Sequence, residues 1–328
     1  MSGSSINIIR KKAMGRAEDE QERIERQMEN LLGDLEKLLP FFDNKNITDV
    51  YVYGGGNVHA SEFGKGAADT GVVLSQSERM RIVNSLASVS GTPIDRWLRP
   101  TLESIVPKYG IRTTAIIPPW TTSPEITFRR PADKIFTMED YLHDERISQA
   151  LYDKICSHIE KRCNIVISGS TGSGKTTFTN ACIKKMVDYT PDERIYIIED
   201  TPELQCASPK KTQLYIRKDQ AVSAIQTALR WTPKRIIFGE LRSGEVAVEL
   251  LEAWNTGHPG NVTTIHADSA ASTIPRIEGL LRQVIKGQLP DLGDSIQLIV
   301  HLSNRSDFGP VVDEALTVRE IKEAKKMT

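Results

Sequence analysis

Cysteine is scarce in this chain. Cys156, Cys163, Cys182 and Cys206 are the only four, and no two of them form a C-x-x-C pair. That spacing suggests neither a zinc site nor a disulfide framework. Long apolar runs are missing too, and none approaches the ~20 residues that a membrane-spanning helix needs. An excess of either charge is absent: 42 Lys and Arg stand against 43 Asp and Glu. A balance so close to neutral argues against a broad nucleic-acid-binding surface. The opening MSGSSINIIRKKAMGR is polar and basic and has no apolar signal-peptide core, so a cytoplasmic address is expected.

What remains is a soluble globular composition, 39% hydrophobic and 26% charged over 328 residues, long enough for two domains. Residues 1–15 read as disordered. The spacing of Ile24, Met28, Leu31, Leu32, Leu35, Leu38 and Leu39 predicts a helix over 16–39 that docks by one apolar stripe. An α+β stretch to residue 130 follows. Its hairpin has strands at 47–53 and 58–60 around Gly54-Gly55-Gly56-Asn57, and Ser75-x-x-Glu78 is a capping box for a helix that Gly91 closes. Extended segments are expected at 102–106, 111–117 and 126–130, and a linker at 131–141. From 142 to 328 the rhythm turns to β–α–β–α, the pattern of a largely parallel sheet covered by helices. Its candidate strands are 165–168, 194–199, 235–239, 262–266 and 296–302.

The most specific signal is Gly169-Ser170-Thr171-Gly172-Ser173-Gly174-Lys175-Thr176, which fits G-x-x-x-x-G-K-[ST] between an apolar strand and an amphipathic helix. Glycines let backbone N–H groups close around phosphate oxygens, and the helix N-terminus adds positive potential. The chemistry expected is binding of ATP or GTP through residues 170–177. Lys175 reaches the β- and γ-phosphates and the Thr176 hydroxyl is the metal ligand for Mg²⁺. No motif chooses between adenine and guanine.

Hydrolysis also needs carboxylates at the ends of parallel strands. Glu199-Asp200-Thr201-Pro202-Glu203 ends one candidate strand and Gly239-Glu240-Leu241-Arg242 ends another. Gly239 stands where a Walker B aspartate is usual, so Glu240 is the candidate that polarises water, with Glu203 supporting metal or water. His266, at the end of a further strand, is placed to donate to a γ-phosphate.

The blocks GSTGSGKTT (169–177), IIEDTPE (197–203), IIFGELRSGE (236–245) and TGHPGNVTTIHADSA (256–270) resemble the Walker A, Asp-box, atypical Walker B and His-box motifs of the secretion NTPase superfamily. That superfamily comprises the ring ATPases of type IV secretion, type II secretion and type IV pili, and a glycine at position 239 is normal in it. The chain looks most like the conjugal transfer ATPases of type IV secretion. The supporting features are the FTMEDYL stretch (136–142), an end soon after the last strand, and the lack of a four-cysteine insert and of an Ala-Ile-Arg-Asn motif. The resemblance implies an α/β fold, with a RecA-like P-loop NTPase motor domain and a smaller PAS-like α+β N-terminal domain. It further implies a homohexamer in which Arg112 and Arg129 (or Arg130, its neighbour) reach nucleotide bound between the domains. The catalytic set it implies is Lys175, Glu203, Glu240 and His266, with ATP and Mg²⁺. The expected partners are other subunits of a membrane secretion or conjugation apparatus at the inner face of the cytoplasmic membrane, with no direct nucleic-acid binding. A pilus retraction or type II secretion motor, and a nucleotide-gated scaffold with little hydrolysis, are the alternatives.

Overall fold

The computed structural model describes residues 20–62, 66–131, 135–305 and 309–327. The segment 1–15 and the first residues of the expected leading helix lie outside them. The chain divides into two compact units, Met1–Ala132 and Asp133–Thr328.

The first unit begins with helix α1 (20–34), whose apolar stripe meets the core at Leu31. The helix stops short of the expected 39: residues 35–38 form a turn before α2 (Leu39–Asp43), which has Pro40 in its first turn. The break costs no apolar burial, because Leu35 and Leu38 are also fully buried. α1 docks by polar contacts as well, with Asp34 accepting from Arg81 and Ser85 of α3 (Gln76–Ser90). α3 has the capping box at Ser75 and Glu78, and Gly91 closes it in the left-handed region at φ 63°.

Six antiparallel strands form the first unit's sheet. They are β1 (Ile47–Val52), β2 (Asn57–Glu62), β3 (Ala67–Val73), β4 (Thr101–Val106), β5 (Ile111–Ile116) and β6 (Glu125–Arg129), in the order β3-β2-β1-β6-β5-β4. β3 is the strand that periodicity does not announce. It is an edge strand with mostly exposed side chains, and its pairing with β2 rather than its own apolar content holds it in place.

In the second unit, residues expected in the linker form α4 (Met138–His143), opened by a capping box at Thr137 and Asp140. Its Met138 and Tyr141 are buried in the second unit's core. The further elements are α5 (Gln149–Glu160), β7 (Ile165–Gly169), α6 (Lys175–Tyr189), β8 (Ile195–Glu199), β9 (Lys211–Tyr215) and α7 (Ala221–Trp231). Then come β10 (Arg235–Glu240), α8 (Gly244–Asn255), β11 (Val262–Ile265), α9 (Ala270–Leu281), α10 (Leu292–Ser295), β12 (Leu298–Arg305), β13 (Gly309–Thr317) and α11 (Val318–Met327). The sheet order is β13-β12-β7-β11-β10-β8-β9. All neighbours are parallel except β12 and β13.

Both faces of this sheet are covered, so its central strands are apolar on both sides. Val166 packs into the cluster that holds α7, α8 and α9. Its neighbours Ile165 and Ile167 point the opposite way, into the cluster with α5 and α6. All four cysteines carry free thiols, and all but the half-buried Cys163 are buried.

Candidate functional site

The ends of β7, β11, β10 and β8 converge on the N-terminus of α6. At that junction Gly174 is the N-cap residue of α6, with φ 81°, and a Cβ there would lie 2.6 Å from Pro310 Cβ on β13. Left-handed backbone and close approach together leave room only for glycine. Around it Ser170, Thr171 and Gly172 face solvent, while Ser173, Lys175 and the half-buried Thr176 and Thr177 line the inner wall. Ser173 Oγ is buried with no hydrogen-bond partner.

Lys175 folds back over this loop. Its Nζ donates to Gly169 O at 3.0 Å and Ser170 O at 2.7 Å, and it lies 3.3 Å from His266 Nδ1. Burial lowers its pKa, and the nearby Glu240 charge works in the opposite direction. An ammonium can only donate, so His266 Nδ1 accepts from it and the imidazole proton sits on Nε2. That Nε2 is 3.2 Å from Glu240 Oε1. One imidazole therefore links the phosphate-loop lysine to the strand-end glutamate.

Glu240 is held from its other oxygen as well. Arg242 donates to Glu240 Oε2 at 2.8 Å and to Asp200 Oδ2 at 2.6 Å. The Glu240 hydrogen bond is the largest of the effects that raise the Arg242 pKa. The backbone under Glu240 is fixed by Thr264, whose hydroxyl donates to Gly239 O at 2.8 Å.

A second chain of contacts organises the opposite wall. Thr176 Oγ1 donates to Glu203 Oε2 at 3.0 Å. The Glu203 loop is pinned by Glu199, whose Oε2 accepts the amides of Glu203 and Leu204, each at 2.9 Å. Gln213 donates to Glu199 Oε1 at 2.6 Å. Asn180, one turn into α6, donates to Glu203 O at 3.0 Å and accepts from Gln205 N at 2.8 Å. Among the described residues no three His, Cys, Asp or Glu side chains form a metal cluster. The Thr176 hydroxyl and Glu203 carboxylate are a hard-oxygen pair at a phosphate cradle. They fit Mg²⁺, which takes one or two protein oxygens together with phosphate oxygens and water.

The structure thus brings Lys175, Thr176, Glu203, Glu240 and His266 together at the loop formed by Ser170, Thr171, Gly172, Ser173, Gly174 and Thr177. Arg112 and Arg129 belong to the first unit. There Asp49, Arg129 and Arg112 face one another across β1, β6 and β5, and Arg129 Nε donates to Asp49 Oδ1 at 2.9 Å. Arg130 is used differently: it donates to the carbonyls of Phe42, Asn44 and Ile47. Asn180 and Arg242 join the expected residues, and Glu199, a member of the expected acidic cluster, holds the loop of Glu203 in place. Glu199 and Arg242 sit inside the quoted motif blocks, so position beside Glu203 and Glu240 was the available signal. Asn180 carries none.

Residues 102–307 match the family profile described as Type II/IV secretion system protein. The chain is 34% identical over 298 residues to the conjugal transfer protein TrbB of Rhizobium radiobacter, covering 90% of each. It is 32% identical over 252 residues to the type IV secretion system protein VirB11 of Bartonella henselae, covering 64% of this chain and 69% of that one. The X-ray structure of the Legionella pneumophila ATPase DotB matches with a TM-score of 0.63 at 22% identity, covering 90% of this chain and 83% of that one. The last likeness is one of fold. The fold is α/β, with a RecA-like P-loop second unit and a smaller N-terminal unit, as the motifs lead one to expect.

Proposed function

The chain belongs to the Type II/IV secretion system protein family, and from that membership we propose that it is a Mg²⁺-dependent ATPase of a conjugative type IV secretion system. The observation that carries the reading is the run of contacts from Lys175 through His266 to Glu240. It links a group that binds phosphate to a group that can orient water.

In this reading the loop amides and the α6 N-terminus hold the phosphates. Lys175 exchanges its two carbonyl partners for phosphate oxygens and neutralises the charge that develops on transfer. Thr176 and Glu203 hold Mg²⁺, which supplies electrostatic stabilisation of the phosphate oxygens when bound. Glu240 orients the attacking water and accepts its proton. His266 touches both Lys175 and Glu240, so a γ-phosphate that draws Lys175 away changes the imidazole's partners and reports occupancy to β11.

Arg112 and Arg129 act on the nucleotide from the first unit, in a ring of six copies. The ring works with membrane-bound apparatus subunits at the inner face of the cytoplasmic membrane and has no nucleic-acid surface of its own. Among the described residues no helix is long and apolar enough to cross a membrane, which fits a peripheral placement.

The deciding experiment compares steady-state ATP hydrolysis with Mg²⁺ for the wild-type chain and Lys175→Ala, with mass measured by light scattering. Turnover that disappears in the variant, from a six-subunit particle, supports the motor. Tight ATP binding with negligible wild-type turnover would replace it with a nucleotide-gated scaffold.

A further inference from the structure

Three large apolar side chains of the first unit stand almost free of protein contact: Leu98 is 91% exposed, Trp97 78% and Trp120 70%. They sit at one end of the sheet. Asp95 and Arg99 bridge each other through their backbones just before β4, leaving Arg96, Trp97 and Leu98 as the tip. The second loop leaves the same end of the β4–β5 ladder. There Thr101 faces Ile116, Ile117 N donates to Pro100 O at 2.8 Å, and Trp120 N donates to Ile117 O at 3.3 Å.

The tip does not need its apolar side chains for its own shape. Asp95 Oδ1 accepts the amides of both Trp97 and Leu98 at 2.8 Å and fixes the turn by itself. Exposed apolar groups clustered in this way mark an interaction surface.

The chemistry of the surroundings selects the partner. Arg96 and Arg99 flank Trp97 and Leu98, are exposed, and have no side-chain hydrogen bond or ion pair among the described residues. The hairpin's single carboxylate, Asp95, is occupied by its own loop, and residues 117–123 contain no acid. Two tryptophans and a leucine at loop tips, with Arg96 and Arg99 on either side of Trp97 and Leu98, match the boundary between acyl chains and anionic headgroups.

We propose that this end of the first unit docks on an anionic bilayer surface, with Trp97, Leu98 and Trp120 entering the interface and Arg96 and Arg99 contacting headgroup phosphates. The inference rests on the peripheral placement proposed above only for its setting. Vesicle binding and ATP turnover are separate measurements and fail separately.

The test uses the full chain with vesicles of phosphatidylcholine alone or mixed with phosphatidylglycerol. The expected result is co-sedimentation with the mixed vesicles, weakening as salt rises. The triple variant Trp97→Ser, Leu98→Ser, Trp120→Ser should lower the bound fraction roughly tenfold or more with an unchanged thermal midpoint. A readout that needs no triple variant is quenching of the chain's tryptophan fluorescence by brominated acyl chains. The double variant Trp97→Phe, Trp120→Phe should still sediment with the vesicles but lose that quenching. A wild-type chain that stays in the supernatant, or vesicle binding untouched by the triple variant, overturns the proposal. So does quenching that survives in the Phe variant, which would put another tryptophan in the bilayer. A triple variant that lowers the mass of the oligomer also overturns it, by assigning the surface to contact between copies.

Discussion

Gly239 lies against Glu199: a Cβ at position 239 would come within 3.3 Å of Glu199 Cβ and 3.6 Å of its Cα. Gly239→Asp would restore the acid of the ordinary Walker B pattern, yet it is expected to damage the site. Glu199 holds the amides of Glu203 and Leu204, so crowding it displaces the loop that faces Thr176. Turnover should fall, and overpacking should cost about 1–3 kcal/mol of stability, read as a lower thermal midpoint. A stable variant with full turnover would mean that the space next to Glu199 is available.

Glu240→Gln keeps the volume of the side chain and removes its charge. ATP affinity should change by no more than about threefold while turnover falls about 10²-fold or more. Equilibrium binding and single-turnover hydrolysis on the same preparation separate the two. Brisk hydrolysis would take the water-orienting role away from Glu240.

Arg129 and Arg130 are adjacent but should fail differently. Arg130→Ala strips donors from the carbonyls of Phe42, Asn44 and Ile47, and is expected to cost about 1–3 kcal/mol of stability. The Arg129 side chain is 65% exposed, against 18% for its partner Asp49, so solvent reaches the pair from the arginine side and Arg129→Ala should change stability by less than about 1 kcal/mol. Its effect should appear in turnover, roughly tenfold lower. Calorimetry and a kinetic assay on the two variants check the assignment, and a reversed outcome gives the phosphate contact to Arg130.

Acid should loosen the C-terminal helix. Lys154 donates to both Glu320 oxygens, and Thr317 donates to one of them through its amide and hydroxyl. Led by the Lys154 bond, these contacts hold the Glu320 carboxyl at about 2, against an ordinary 4.5. The folded-state value is the lower one, so the contribution is complete above pH 4.5 and is lost as pH falls toward 2. Because the side chain is 47% exposed, solvent screening keeps this below about 1 kcal/mol. Thermal midpoints measured down this range should show Glu320→Gln losing less stability than wild type. Parallel curves for the two proteins would remove Glu320 from the acid response.

The strands that carry the site were legible because burial on both faces writes continuous apolar runs, as in Ile165-Val166-Ile167 and Ile195-Tyr196-Ile197-Ile198. The edges were not. β9 reads Lys-Thr-Gln-Leu-Tyr with half-exposed side chains, and only its parallel pairing with β8 makes it a strand. β13 and α11 escaped for a related reason: the apparent last strand at Leu302 gives no sign of the hairpin that follows. Within the site, Lys175 and Thr176 were readable from contiguous residues. The meeting of Lys175, His266 and Glu240 depends on β11 lying between β7 and β10, and residue spacing does not encode that neighbourhood. Asn180 looks like any polar residue in a helix until residues 203–205 are folded beside it.

Pro310 against Gly174 also sets an order of events during synthesis. A ribosome finishes the G-x-x-x-x-G-K-T stretch long before it reaches β13, which brings the wall that closes over it. Since chains begin to fold as they emerge, the nascent protein passes through a stage in which the whole motif is present and the loop is still open on one side. A chain broken before that hairpin forms would keep every signature residue of the phosphate loop and lack one of its walls.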